Sequence, residues 1–90
     1  MELLKPWELV LTHAVTSYNR VRRLAMSISA DGMKNAIKYV EHDGHKYVVD
    51  GHHRIAAAKR AGLQEVPAEE VKLPYGQYKS PKDLTYDPGY

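Results

Sequence analysis

The sequence predicts a small α/β domain of the α+β kind, in which a short mixed sheet with one hairpin packs against two main helices. Three observations predict it. Val21, Leu24, Ala25 and Ile28 have the i, i+3, i+4, i+7 spacing of a core-facing helix. Ala36 to Glu41 and Lys46 to Val49 are rich in β-branched and aromatic residues and flank Asp43-Gly44. That dipeptide marks a hairpin turn with positive φ at both central residues. Finally, Tyr47 to Gly62 reads as a buried strand, a tight polar turn and an alanine-rich helix closed by glycine.

In chain order, Pro6 favours an extended Lys5, and Leu9 to Leu11 form a short strand or a buried loop. Trp7 is expected as a packing anchor, because a small domain needs its large apolar residues inside. Thr12 to Ser17 make a polar connection, and Thr16 or Ser17 caps a helix running to about Ala30, ended by Asp31-Gly32. His42 and His45 flank the hairpin turn and are expected in solvent. After the central helix, Leu63 to Leu73 is expected as another strand, with Pro67 marking an edge or its beginning. Pro74 to Tyr90 has little periodicity, but Tyr75, Tyr78, Tyr86 and Tyr90 predict a tail lying against the domain. Ser80 to Leu84 is long enough for one helical turn.

Ninety residues bound the chain to one domain, 1–90, with a core over 3–73 and an irregular Tyr/Pro-rich tail over 74–90. There is no run of eighteen apolar residues, hence no expected transmembrane helix. The first residues lack the pattern of a secretory signal, so a soluble, cytoplasmic protein is the default expectation. The absence of cysteine excludes disulfides and thiolate metal sites. A formal charge of +2 permits a polyanionic partner without requiring one. The distribution says more: Arg20, Arg22, Arg23, Arg54, Lys59 and Arg60 fall in the two helices, while acids gather at Glu65, Glu69 and Glu70.

Chemistry concentrates in Asp50-Gly51-His52-His53-Arg54. Gly51 allows close approach of backbone or ligand, and the first turn of a helix offers oriented N–H donors to phosphate. Asp50 is expected as the helix N-cap or as a Mg²⁺ carboxylate. Adjacent helical residues point about 100° apart, so one histidine faces the site while the other packs or orients it. His53 and Arg54 are the favoured phosphate contacts, Arg54 bidentately, with His52 or His53 as general acid or base. His13 is the expected remote partner, and Arg20 or Arg23 approaches the same anion. The i, i+1 spacing of the two histidines suits a single tetrahedral zinc ion poorly.

The Asp-Gly-His-His-Arg motif, followed by Ala56-Ala57-Ala58-Lys59 and Gly62, resembles the ParB/sulfiredoxin-like superfamily over about Leu3 to Leu73. Also similar are Ser27 to Gly32 at the end of the first helix, the returning strand Tyr47 to Val49, and Glu65-Val66-Pro67. The resemblance implies a turn at Gly51 to Arg54 that cradles nucleotide phosphates, with ATP or another nucleotide as ligand or substrate. Members include CTP-hydrolysing partition proteins, sulfiredoxins, free-serine kinases and nuclease-like toxin modules. Sulfiredoxins place a reactive cysteine where this chain has His52, so sulfinate reduction is excluded. Partition proteins carry further DNA-binding and dimerisation domains, and usually have Glu and Arg in place of His52 and His53. Trp7 to His13 and Leu73-Pro74-Tyr75-Gly76 look most like the ParB-like tips of bacterial polymorphic toxins. That likeness implies secretion within a larger protein, action in a target-cell cytoplasm and a cognate immunity protein. The expected activity is then a hydrolase, cleaving nucleic-acid phosphodiesters or hydrolysing nucleotides. The alternatives are an ATP-dependent serine-type kinase, with Glu8 the obvious acidic base, and a non-catalytic nucleotide- or DNA-binding module.

Overall fold

The computed structural model describes residues 2–12, 15, 17–33 and 35–84. Its strands are β1 (Glu2–Leu4), β2 (Leu9–Val10), β3 (Ile37–His42), β4 (His45–Asp50) and β5 (Val66–Glu70), and its helices are α1 (Tyr18–Asp31) and α2 (His52–Ala61). Single 3-10 turns occupy Pro6–Glu8 and Pro81–Leu84, the second as expected. The strands form one mixed sheet in the order β1-β5-β3-β4-β2. The hairpin β3–β4 is antiparallel, and its turn has φ 54° at Asp43 and 82° at Gly44, as the Asp-Gly pair predicts. From β4 the chain crosses through α2 and returns as β5, parallel to β3.

The alanine run of α2 follows from its place between two layers. Ile55 and Ala58 pack on the sheet residues Ile37, Tyr39, Val48, Val66 and Ala68. Ala57, on the other side of the helix, packs against Val21, Ala25 and Ile28 of α1. Small side chains let both layers approach α2 closely. The opposite face of the sheet is covered by the tail. Alternation along a strand sends Val40 and Val49 to that face, where Tyr78 and Leu84 bury them. The Asp83 carboxylate accepts from Lys79 and Ser80 N–H groups, which hold its pKa below the usual range and fix the last turn. The tail therefore completes the core through residue 84; Tyr86 and Tyr90 lie outside the described residues.

Three expectations are corrected. Trp7 is 69% exposed, with the Lys5 ammonium 5.4 Å from its ring centroid. Pro6 takes the buried position of that 3-10 turn, so the next side chain is turned outward. Pro67 is the second residue of β5, at the strand's beginning as expected, but the edge alternative fails, because β1 pairs with β5 on the side away from β3. It is tolerated because the β3–β5 ladder starts one residue later, at Ile37 and Ala68. The strand itself is shorter than 63–73, and β1 carried no readable signal in three residues. His42 and His45 are exposed, as expected.

An exposed Trp7 makes a direct prediction. Its fluorescence should be quenched by acrylamide in the folded state, and Trp7→Ala should change unfolding free energy by no more than about 0.5 kcal/mol. A buried emission spectrum, or a loss of several kcal/mol, would restore the tryptophan to the core.

Candidate functional site

Strand β4 ends at Asp50 and α2 starts at His52, so Gly51 alone turns the chain. Its backbone is left-handed, φ 104° and ψ 25°. A Cβ there would lie 2.8 Å from Ile37 Cδ1 and 3.1 Å from Arg54 Nη2. Glycine is thus required twice, by conformation and by space. The first intrahelical bond runs from Ile55 N–H to Gly51 O at 2.9 Å, so the N–H groups of His53 and Arg54 precede the helical ladder. Gly51 is the N-cap, and Asp50 makes no capping bond, contrary to expectation. Asp50 is still in the β-ladder opposite Lys38, and its carboxylate reaches along the helix to Arg54, with Oδ2 3.7 Å from Nη2. At the other end, Gly62 is the expected left-handed C-cap.

This corner opens onto a cavity of about 570 Å³. Its walls are Arg20 and Leu24 of α1, Val49 to Arg54 of the corner, and Tyr75 to Tyr78 of the tail. Of the residues singled out in the sequence, Asp50, Gly51, His52, His53, Arg54 and Arg20 come together here. Arg23, three residues beyond Arg20, is exposed and forms no part of the wall. His13 lies outside the described residues.

The two histidines diverge, as their adjacency requires. His52 is 6% exposed, and its Nε2 lies 2.8 Å from Thr12 Oγ1, to which it donates, and 3.3 Å from the Thr12 backbone nitrogen. The Thr12 hydroxyl has one proton, which it donates to Val48 O at 2.8 Å, since a carbonyl only accepts. The Tyr78 hydroxyl, 2.6 Å away, therefore donates to Thr12 Oγ1. His52 is held into the interior by this cluster. His53 is half-buried, and its enclosed Nε2 has no hydrogen-bond partner among the described residues. Buried polar atoms are ordinarily matched, so this nitrogen is a candidate contact for a ligand atom. Arg54 folds back over Gly51, and Nη1 donates to Ala36 O at 3.4 Å. Behind Asp50, the Lys38–Glu69 ion pair raises the lysine pKa and lowers that of the carboxyl. Among the described residues no group of three or more His, Asp or Glu is placed to hold a metal.

The family model of the ParB N-terminal domain matches residues 8–76. The chain belongs to that family. No curated protein matches the sequence. Among solved structures, the ParB-type domain is similar to sulfiredoxin from Arabidopsis thaliana, at 27% identity and TM-score 0.69, over 79% of this chain and 83% of that one. It is also similar to the C-terminally truncated partitioning protein ParB from Caulobacter crescentus complexed with CTP-γ-S, at 24% identity and TM-score 0.72, over 80% of this chain and 44% of that one. A free serine kinase in complex with AMP shares the fold at 15% identity and TM-score 0.69, over 79% of this chain and 30% of that one. The chain thus spans most of the sulfiredoxin but less than half of the other two. These likenesses establish the ParB/sulfiredoxin-like fold. Among the described residues, no helix of the domain is long and apolar enough to cross a membrane.

Sequence reasoning left open whether the segment from Tyr75 covers the site, contacts a partner or completes the core, and it did not single out Thr12; the structure brings Thr12, Tyr75, Gln77 and Tyr78 to the site. Thr12 stands beside His13 in a polar run, and Gly76 signals a turn, but nothing local says that either reaches His52.

Two predictions follow from this geometry. Gly51→Ala should lower unfolding free energy by about 1–3 kcal/mol, through its left-handed backbone and the contact with Ile37. A wild-type denaturation midpoint would show that the corner is not constrained. In a double-mutant cycle, Thr12→Val and Tyr78→Phe should couple by at least about 0.5 kcal/mol; additive losses would mean that the hydroxyl pair contributes nothing jointly.

Proposed function

We propose that the domain binds the phosphate groups of a nucleotide at the Gly51 corner. The observation carrying this reading is Gly51 itself. By lacking a Cβ it lets the Arg54 guanidinium lie against the N-cap, beside the first-turn N–H donors and at the wall of a nucleotide-sized cavity. Arg54 supplies a fork for two phosphate oxygens and Arg20 a second cation from α1. His53 Nε2, enclosed and without a partner among the described residues, is the third contact. Asp50 is the one carboxylate on the wall among the described residues. It suits Mg²⁺, which takes one or two carboxylates together with substrate phosphates, and the ion would neutralise phosphate charge. Nucleotide complexes of the partition protein and the serine kinase, on the same fold, support this reading.

The same observation on His53 favours turnover as a second, narrower reading. A histidine at bound phosphate is a candidate general acid or base for hydrolysis of a nucleotide or a nucleic-acid phosphodiester. The latter is the activity expected of a toxin effector with an immunity partner. His52, locked by Thr12, acts in this scheme by fixing the start of α2.

Calorimetric titration of nucleoside triphosphates and pyrophosphate, with and without Mg²⁺, tests the binding reading. Wild type should bind at least one, and Arg54→Gln should lose tenfold or more in affinity while keeping its melting temperature within a few degrees. Unchanged affinity in Arg54→Gln, or no binding by wild type, rejects the site. Incubation with nucleotides, plasmid DNA and total RNA tests turnover: a product formed by wild type and lost in His53→Ala supports it, and a product formed equally by both removes His53 from the chemistry.

A further inference from the structure

The charges of the ParB-type domain are segregated by layer. All four ion pairs among the described residues use Lys38, Lys46, Arg54 or Lys72, with carboxylates of the strands. Arg20, Arg22, Arg23, Lys59 and Arg60, all exposed, have no acidic partner among the described residues. The helices explain why. Helix α2 contains no acidic residue, and α1 contains one, at its last position. A solvated helix face ordinarily mixes signs, with acids three or four residues from bases. Here that compensation is missing on two helices that pack side by side.

The uncompensated cations also have an order. Arg20 stands on the cavity wall. Arg23, three residues on, is its neighbour on the outer side of α1. Across α1, Arg22 shares a shallow groove with Met26 and with Arg60 of α2. Arg60 is held in place there, its guanidinium 5.0 Å from the Tyr18 ring centroid and donating to the Tyr18 hydroxyl at 2.9 Å. The result is a band of guanidinium groups leading from the phosphate cavity over α1 to the α1–α2 groove, with an exposed aromatic ring at its far end.

We infer that this band is a track for the phosphate backbone of a nucleic-acid strand that enters the Gly51 site, so that the ligand is a polymer rather than a free nucleotide. The inference rests on the phosphate site of the preceding section for one phosphate only; neighbouring phosphates lie on Arg23, Arg22 and Arg60. Guanidinium groups suit this role because each grips phosphate oxygens bidentately and releases condensed counterions. Tyr18, 60% exposed, offers a base a stacking surface beside the track.

The test is fluorescence anisotropy with a labelled 20-nucleotide mixed-sequence strand, as DNA and as RNA, over a series of salt concentrations. Wild type is compared with the triple variant Arg22→Gln, Arg23→Gln, Arg60→Gln. Wild type should bind the strand at least tenfold more tightly than a nucleoside triphosphate. Since a single strand contributes about 0.7 to the log–log salt slope per contact, loss of three contacts should flatten the slope by about 2. The triple variant should keep wild-type affinity for the nucleoside triphosphate, because none of its three positions lines the cavity, and should keep its melting temperature. An unchanged slope, or a strand bound no better than a mononucleotide, overturns the inference. Binding of anionic phosphatidylserine vesicles that the triple variant loses, with no preference for the strand, overturns it in favour of a membrane surface. The two readings fail separately: strand binding that depends on the band, without mononucleotide binding, leaves the track and removes the cavity site, whereas mononucleotide binding alone does the reverse.

Discussion

A strand running straight into a helix must reverse its backbone course within a residue or so, and in this domain one residue does it. Gly51 sits in a left-handed conformation with Ile37 Cδ1 and the Arg54 guanidinium where a side chain would have to go. The rest of the site depends on that corner. It sets the phase of α2, and with it which imidazole turns inward and which stands at the cavity. It brings Arg54 back over the N-cap, within reach of Asp50 and of the Ala36 carbonyl. It also frees Asp50 from capping, so that the carboxylate belongs to the cavity wall.

Beyond the corner, the site is finished by the segment after β5. One sheet face is covered by helices, and the other would stand open over Val40 and Val49 without Tyr78 and Leu84. Covering that face carries the Tyr75–Tyr78 turn past the end of β4, where it becomes the far wall of the cavity. The Tyr78 hydroxyl then reaches Thr12, and Thr12 reaches His52, joining the tail, the β2–α1 connection and the first turn of α2 in one buried cluster. The family match covers residues 8–76, and Tyr78 and Leu84 lie just beyond it. Packing and site construction are here the same event.

How much was legible beforehand depended on the range of the interaction. Local signals were strong for the α1 stripe, the Asp-Gly hairpin, the Gly62 cap and the Asp50–Arg54 motif, and all four elements formed where they were read. The divergence of His52 and His53 followed from the helical turn alone. The errors have a common origin. Residue preference favours Asp50 as a cap, but a cap is defined by the backbone of the residue next to the helix, and Gly51 holds that place. Size favours the core for Trp7, but the 3-10 turn buries Pro6 and turns the ring out. Pro67 marks either an edge or a strand beginning; it is the beginning, and β5 is interior because β1, three residues long and distant in sequence, pairs beyond it.

By itself, then, the sequence determined an α+β domain of the ParB/sulfiredoxin-like superfamily, its two helices, its hairpin and the motif around which a phosphate site can form. These rest on periodicity, turn chemistry and the conformational freedom of glycine, which act over a few residues. The tertiary structure decided the order of strands, the inward lock on His52 by Thr12 and Tyr78, the separation of Arg20 from Arg23 at the cavity, and the exposure of Trp7. Those depend on which distant segments come to share one surface. Burial and hydrogen-bond matching across the whole chain settle that, and no local stretch encodes it.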